Sequence, residues 1–181
     1  MSADNMTGSV ATIHIAEKEG APLAELTSAE LLPGRGISGD RHCSVLDPSN
    51  EGQVSLVEAE GVEAFARDIG FPLQPQETRR NIVTREVSLN ELVGMRFAVG
   101  EAELLGTELC EPCAYLAKTL IERFALSDVA PKDIVAGLAH RAGIRAKILR
   151  GGTVRPGDRI VPLPAEESSG EPAGEHGDDP Q

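Results

Sequence analysis

No stretch of this chain keeps one periodicity for long. Short β-branched runs such as Val10-Ala-Thr-Ile-His-Ile15 stop after a few residues, and 19 glycines and 12 prolines supply the breaks between them. Strands are expected at residues 10–15, 81–84, 95–99, 102–109, 144–149 and 159–161, with a further one drawn from 22–31. Gln53-Val-Ser-Leu-Val57 reads as a strand or a helix entry, followed by a helix through Phe65 to Ile69 that Gly70 stops. Leu116, Leu120, Ile121 and Phe124 fall at helical spacing and predict a helix over 116–126, and a short one is expected over 132–138. Between the first strands, LPGRGISGDRH carries Gly34, Gly36 and Gly39 and reads as a loop with unusual backbone angles. Many short strands, not regularly interleaved with helices, argue against a doubly wound sheet. The expected class is a β-rich α+β fold with a barrel-like sheet and a few peripheral helices.

A chain of 181 residues supplies one good-sized core. The expected division is a flexible leader over 1–9, a single folded domain over 10–164, and a disordered acidic tail over 165–181. The tail holds six of the acids and no Lys or Arg; without it the formal charge of −12 falls to −6. No basic footprint for nucleic acid remains, and with four Phe, one Tyr and no Trp there is no stacking platform for bases. No apolar run reaches the ~18 residues of a membrane span, and the start lacks the regions of a signal peptide, so a cytoplasmic protein is expected.

Three cysteines are too few and odd in number for a disulfide framework, which makes Cys110-Glu-Pro-Cys113 the chemical question. If a helix begins at Pro112, Cys113 lies in its first turn, where unpaired N–H groups and the helix dipole favour a thiolate. Glu111 opposes this. Cys-x-x-Cys is also the spacing of thioredoxin-like redox sites, although those bring their motif early in the domain. A zinc site assembled from Cys110, Cys113, Cys43 and His42 would need two adjacent ligands at 42 and 43, an awkward spacing. Both cysteines as small buried hydrophobes is the plain alternative.

The order and spacing of GISGDRH (36–42), QVSLVEAEGVEAF (53–65), RRNIV (79–83), LVGMRFAVGEAEL (92–104), CEPC and HRAGIRAKILRGGTVRPGD (140–158) resemble the MOSC domain, named for the C-terminal domain of molybdenum cofactor sulfurase. The resemblance covers almost all of 10–164. It implies a mixed β-barrel with peripheral helices and an association with the molybdenum cofactor, a pterin (molybdopterin) that holds the metal through two sulfurs. It further implies one of two activities: carrying sulfur as a cysteine persulfide, or holding the cofactor through a cysteine on molybdenum while N-hydroxylated compounds are reduced. The position matching the family's late cysteine lies in CEPC, and Cys113, following proline, matches the pattern of small stand-alone members.

On that resemblance Cys113 is the metal ligand or sulfur carrier and Cys110 its neighbour, able to resolve a persulfide or to pack. Arg41, Arg80 and Arg141 are then available to the cofactor's phosphate, and Asn81 to an amide edge. His42 is a candidate proton carrier. Asp40 is an orienting partner of Arg41 or His42, or the cap of its own turn. No pyridoxal-phosphate desulfurase domain is visible, and three cysteines cannot ligate an iron–sulfur cluster. A separate sulfur donor or electron-transfer protein and a small-molecule substrate are therefore the expected partners. A non-catalytic cofactor- or anion-binding module, and a thiol redox protein using both cysteines, stay open as alternatives.

Overall fold

The structure, a computed structural model, describes residues 6–43 and 46–164. Eleven strands and three helices follow one another as β1 (Gly8–Ile15), β2 (Ala24–Leu26), β3 (Ala29–Leu32), β4 (Gly36–Ile37), β5 (Val54–Glu58), α1 (Ala59–Ile69), β6 (Ile82–Arg85), β7 (Arg96–Val99), β8 (Ala102–Leu109), α2 (Ala114–Phe124), α3 (Pro131–Leu138), β9 (Ile144–Arg150), β10 (Gly152–Val154) and β11 (Arg159–Pro162). The order β11-β7-β8-β9-β5-β6-β1 closes on itself through β1–β11 pairing, with β2 added beside the far end of β1. The result is the β-rich mixed barrel with peripheral helices expected from the sequence. A smaller sheet, β10-β3-β4, packs alongside.

A closed ring needs an even number of direction reversals, so seven strands force at least one parallel neighbour pair. That pair is β5–β6, and every other junction in the ring is antiparallel. A parallel pair needs a crossover, which α1 and a short 3-10 turn at Pro75–Thr78 provide. Side chains alternate across the pleat accordingly. Leu56 and Ile82 point into the barrel with Ile13, Phe97, Leu104 and Ile144, whereas Val57 and Val83 point out beneath the helices. There Val62 and Phe65 of α1, Leu116 and Leu120 of α2, and Ile134 and Leu138 of α3 form a second core. Gly70 ends α1 as expected, in the left-handed region at φ 74°, with its N–H on the Ala66 carbonyl at 3.0 Å.

Several local expectations change. The strand drawn from 22–31 is two, and β2 and β3 belong to different sheets. The glycine loop contains β4, paired antiparallel with β3. Strand β10, for which the sequence reading gives no expectation, is held by pairing with β3. Gly8 and Ser9, assigned by sequence to the leader, pair with Ile160 and Arg159 and help close the barrel. Residues 1–5 and the acidic tail 165–181 lie outside the described residues. Helix α2 begins at Ala114 rather than Pro112. Cys113 is its N-cap in extended conformation, φ −117° and ψ 164°, and its carbonyl accepts the Ala117 N–H at 3.1 Å.

Gly143 is the tightest point of the barrel. It adopts φ +92°, and a Cβ there would lie 1.8 Å from the Leu56 carbonyl oxygen. Gly143→Ala is expected to destabilise by about 3 kcal/mol or more, combining left-handed strain with overpacking against backbone. Denaturant unfolding checks this; a loss under about 1 kcal/mol would contradict the geometry.

Candidate functional site

One cavity gathers most of the residues that the sequence singles out. The starts of the parallel strands β5 and β6, the segment after β1, the connection after β8 and the start of β9 all contribute to it. Its volume is about 620 Å³. Asp40, Arg41 and His42 come from the loop after β4, Gln53 and Ser55 from the start of β5, and Arg79, Arg80 and Asn81 from the approach to β6. Cys110 and Cys113 line it from the β8–α2 connection, and Arg145 from β9.

Asn81 is a fastener rather than a free amide. Its Oδ1 accepts from the Ser55 hydroxyl at 2.8 Å and the Ser55 N–H at 3.2 Å, and its Nδ2 donates to the His14 carbonyl at 3.3 Å. Its own backbone exchanges further bonds with Ser55 and His14. One side chain thus ties β5, β6 and β1 together at the cavity that it also lines. Two residues before it, Arg79 closes the 3-10 turn in the left-handed region at φ 62°. A non-glycine residue in that region carries strain of roughly 1–3 kcal/mol, so the surrounding bonds must hold it.

Asp40 also proves structural. Its carboxylate accepts the Ala16 N–H at 3.0 Å and the His42 N–H at 2.9 Å, which anchors the GDRH loop to the end of β1 and leaves the Arg41 and His42 side chains to each other. Arg41 Nε donates to His42 Nε2 at 3.0 Å, so in this arrangement the imidazole proton sits on Nδ1. Both side chains are exposed at the cavity.

The arginines decide the character of the site. Arg80 is half-buried, with Nε on the Ala142 carbonyl at 2.9 Å and Nη2 on the Cys110 carbonyl at 3.2 Å. Burial pushes its pKa below the ordinary value and Arg145 adds to this, whereas negative charge on Cys110 and Cys113 opposes it. Arg79 donates to the Ala21 carbonyl at 3.0 Å. Among the described residues none of Arg41, Arg79 and Arg80 pairs with a carboxylate. Arg145 does, with Glu108 at 2.7 Å; that bond and negative charge on Cys110 raise its pKa. Four guanidiniums against Glu19 and Asp40, the latter occupied by two amides, make a cationic cavity in an acidic chain.

Arg141 does not join them. Its side chain runs along α1 to Asp68 at 3.3 Å, outside the cavity, and Arg145, four residues later on β9, takes the place at the mouth. The sequence reading missed Arg79 and Arg145 although both stand inside the quoted motifs. The doublet in RRNIV and the alternation of β9 from Ile144, which places residue 145 on the opposite side of the strand from the buried Ile144, were the available signals.

The cysteine loop is clamped on both sides to the segment before β9. From within, Arg80 bridges the Cys110 and Ala142 carbonyls, and the Cys110 N–H donates to the Gly143 carbonyl at 2.8 Å. From outside, the Glu111 carboxylate meets His140 Nδ1 at 2.8 Å and accepts the His140 N–H at 3.1 Å. Both cysteines are free, Cys110 buried and Cys113 exposed. They lie in the irregular segment between β8 and α2. The four-ligand zinc site is not formed: among the described residues no three His, Cys, Asp or Glu side chains are grouped for a metal. Cys43 lies outside the residues lining the cavity.

A maleimide added to the folded protein should therefore modify Cys113 first, with Cys110 protected until denaturant is added. Peptide mapping reads the order, and equal rates at the two thiols would contradict the burial of Cys110.

The MOSC domain family model matches residues 38–161, which span every element lining the cavity except β1 and its following loop. Among solved structures, the YuaD protein from Bacillus subtilis is 22% identical with a TM-score of 0.75, over 86% of this chain and 94% of that one. YiiM from Escherichia coli is 17% identical with a TM-score of 0.61, over 88% of this chain and 71% of that one. YiiM from Geobacillus stearothermophilus is 14% identical with a TM-score of 0.62, over 87% and 75%. At these identities the structures establish a shared fold. No curated protein matches the chain. With the family model covering well over half its length, the chain belongs to the MOSC domain family.

Proposed function

We propose that the cavity holds the molybdenum–pterin cofactor, with Cys113 as a thiolate ligand to the metal, and that the protein reduces a small N-hydroxylated substrate there. The observation that carries this reading is the convergence of three arginines without carboxylate partners and an exposed thiol on one cavity of about 620 Å³. Guanidiniums without acid partners are suited to a phosphate, which accepts their planar fork through two oxygens. A cavity of this size also lies in the range of small-molecule sites.

When bound, the cofactor supplies a redox metal centre. The chain's own residues do the rest. Arg80, fixed by two carbonyls and with its Nη1 unbonded among the described residues, is preorganised for an anion. Arg79 and Arg41 border the same space, and Asn81 keeps Arg79 and Arg80 in position. Cleaving an N–O bond to N–H and water consumes two electrons and two protons. His42, an imidazole exposed at the cavity, is the side chain placed to deliver protons there. The electrons come from a separate transfer protein, and the site of action is the cytoplasm. Among the described residues no helix is long and apolar enough to cross a membrane.

Protein purified without air from a host that makes the cofactor should contain near-stoichiometric molybdenum and pterin. Cys113→Ser should lose most of the metal, and Cys110→Ser should keep it. A directly coordinating thiolate accounts for more than the ~10–100-fold typical of groups that only orient a ligand. A labile sulfur on Cys113 without molybdenum would replace this reading with a persulfide carrier fed by a separate sulfur donor. Neither signal would leave an anion-binding module.

A further inference from the structure

The loop after β4 holds its backbone and its side chains by different means. The Asp40 carboxylate accepts the Ala16 and His42 N–H groups, its carbonyl accepts the Cys43 N–H at 2.8 Å, and the Arg41 N–H donates to the Ala16 carbonyl at 2.8 Å. The Arg41 and His42 side chains have only each other. Among the described residues neither makes a further hydrogen bond or an ion pair.

That single bond joins a cation to a group that can become one. Arg41 Nε carries its hydrogen at any ordinary pH, so the bond at 3.0 Å exists only while His42 Nε2 keeps a free lone pair. An imidazolium has N–H at both nitrogens, cannot accept, and repels the guanidinium. The Arg41–His42 bond and a charged His42 are therefore mutually exclusive. The walls of the cavity act in the same direction. Arg79, Arg80 and Arg145 disfavour a further positive charge, and Glu19 is the only lining acid not occupied by backbone amides. Cys110, Cys113 and Tyr115 are the other titratable groups on the lining. An anion on the arginines reverses both effects. It offsets their field, and one of its oxygens can take the Nε hydrogen that His42 gives up.

Resting on the phosphate-binding reading of the cavity, we infer that His42 takes up a proton as the anion binds, and that Arg41 couples the two events. Without the anion the imidazole is neutral and tied to Arg41. With it, Arg41 turns to the phosphate and His42 stands charged beside it. The proton donor is thus loaded only when the cofactor's phosphate is in place. By reciprocity, anion affinity rises as pH falls.

Sulfate, which does not titrate near neutral pH, stands in for the phosphate. The full chain is taken from a host that does not make the cofactor. Calorimetry at about pH 7, in two buffers of different ionisation heat, counts the protons taken up per sulfate. The wild type should take up about 0.4 to 1 proton, and its sulfate affinity should rise about 5-fold or more between pH 8 and pH 6. 15N spectra should show His42 Nε2 unprotonated without sulfate and protonated at saturation. His42→Gln, at an exposed loop position that leaves the fold intact, should bind sulfate without proton uptake and identifies the imidazole signals by their loss. Arg41→Met, which leaves Arg79 and Arg80 to hold sulfate, should cut the uptake to less than about half. Sulfate binding without proton uptake, uptake that persists in His42→Gln, or uptake undiminished in Arg41→Met would overturn the inference and leave the anion site standing. Failure of the wild type to bind sulfate would overturn the anion site itself, and the inference with it.

Discussion

The mouth of this barrel depends on the Asn81 side chain. Its bonds to Ser55 and His14 join three strands at the point where the ring's one parallel pair begins. An ordinary intramolecular hydrogen bond contributes about 1 kcal/mol net, whereas stranding a buried partner costs about 1–3 kcal/mol. Removing Asn81 would strand groups on two neighbouring strands at once. The bonds also have a purpose beyond stability, because they fix the backbone directly after Arg79 and Arg80. Arg79 occupies the left-handed region, where a non-glycine residue stays only if its surroundings compel it. The strained arginine and the half-buried one beside it are both held by the same junction.

Those arginines work against the fold as much as they serve it. A half-buried guanidinium bonded to carbonyls rather than to a carboxylate is partly desolvated with no full opposite charge beside it, which is the physical reason burial lowers the pKa of Arg80. Elsewhere the protein pairs its cations readily, as with Arg145 and Glu108 or Arg141 and Asp68. A chain of net charge −12 has acids to spare, so the lack of ion pairs at Arg41, Arg79 and Arg80 among the described residues is a feature of the site rather than of the composition. Cationic walls in a recess focus the field on whatever enters it, and an anionic ligand supplies the charge that the protein withholds. The same reasoning gives Asp40 its place. Its carboxylate is turned to two backbone amides and organises the loop while leaving the mouth cationic.

How much of this was legible in the sequence depended on whether local pattern or distant pairing decided each element. Strands β1, β6, β8 and β9 and helix α1 announced themselves, because alternation, helical spacing and Gly70 are local signals. Strand β10 did not, since only pairing with β3 across the fold makes a strand of Gly152–Val154. Pro112 suggested a helix start two residues too early, because the chain stays extended through Cys113 before α2 begins. At the site, motif order located the mouth but not the tasks within it. Asn81 and Arg141 carry groups that suit a cofactor, yet one is bound to neighbouring strands and the other to Asp68. Arg145 follows from the alternation of β9 once the strand's inward side is known, and the sequence does not disclose that side.

The proposed function puts molybdenum in this mouth, on Cys113. Anomalous diffraction at the molybdenum edge, on crystals of protein from a cofactor-producing host, tests it most directly. A single strong peak inside the cavity at the Cys113 sulfur, with the phosphate's density against Arg80, is expected. A peak at Cys110, a peak outside the cavity, or none at all would contradict it.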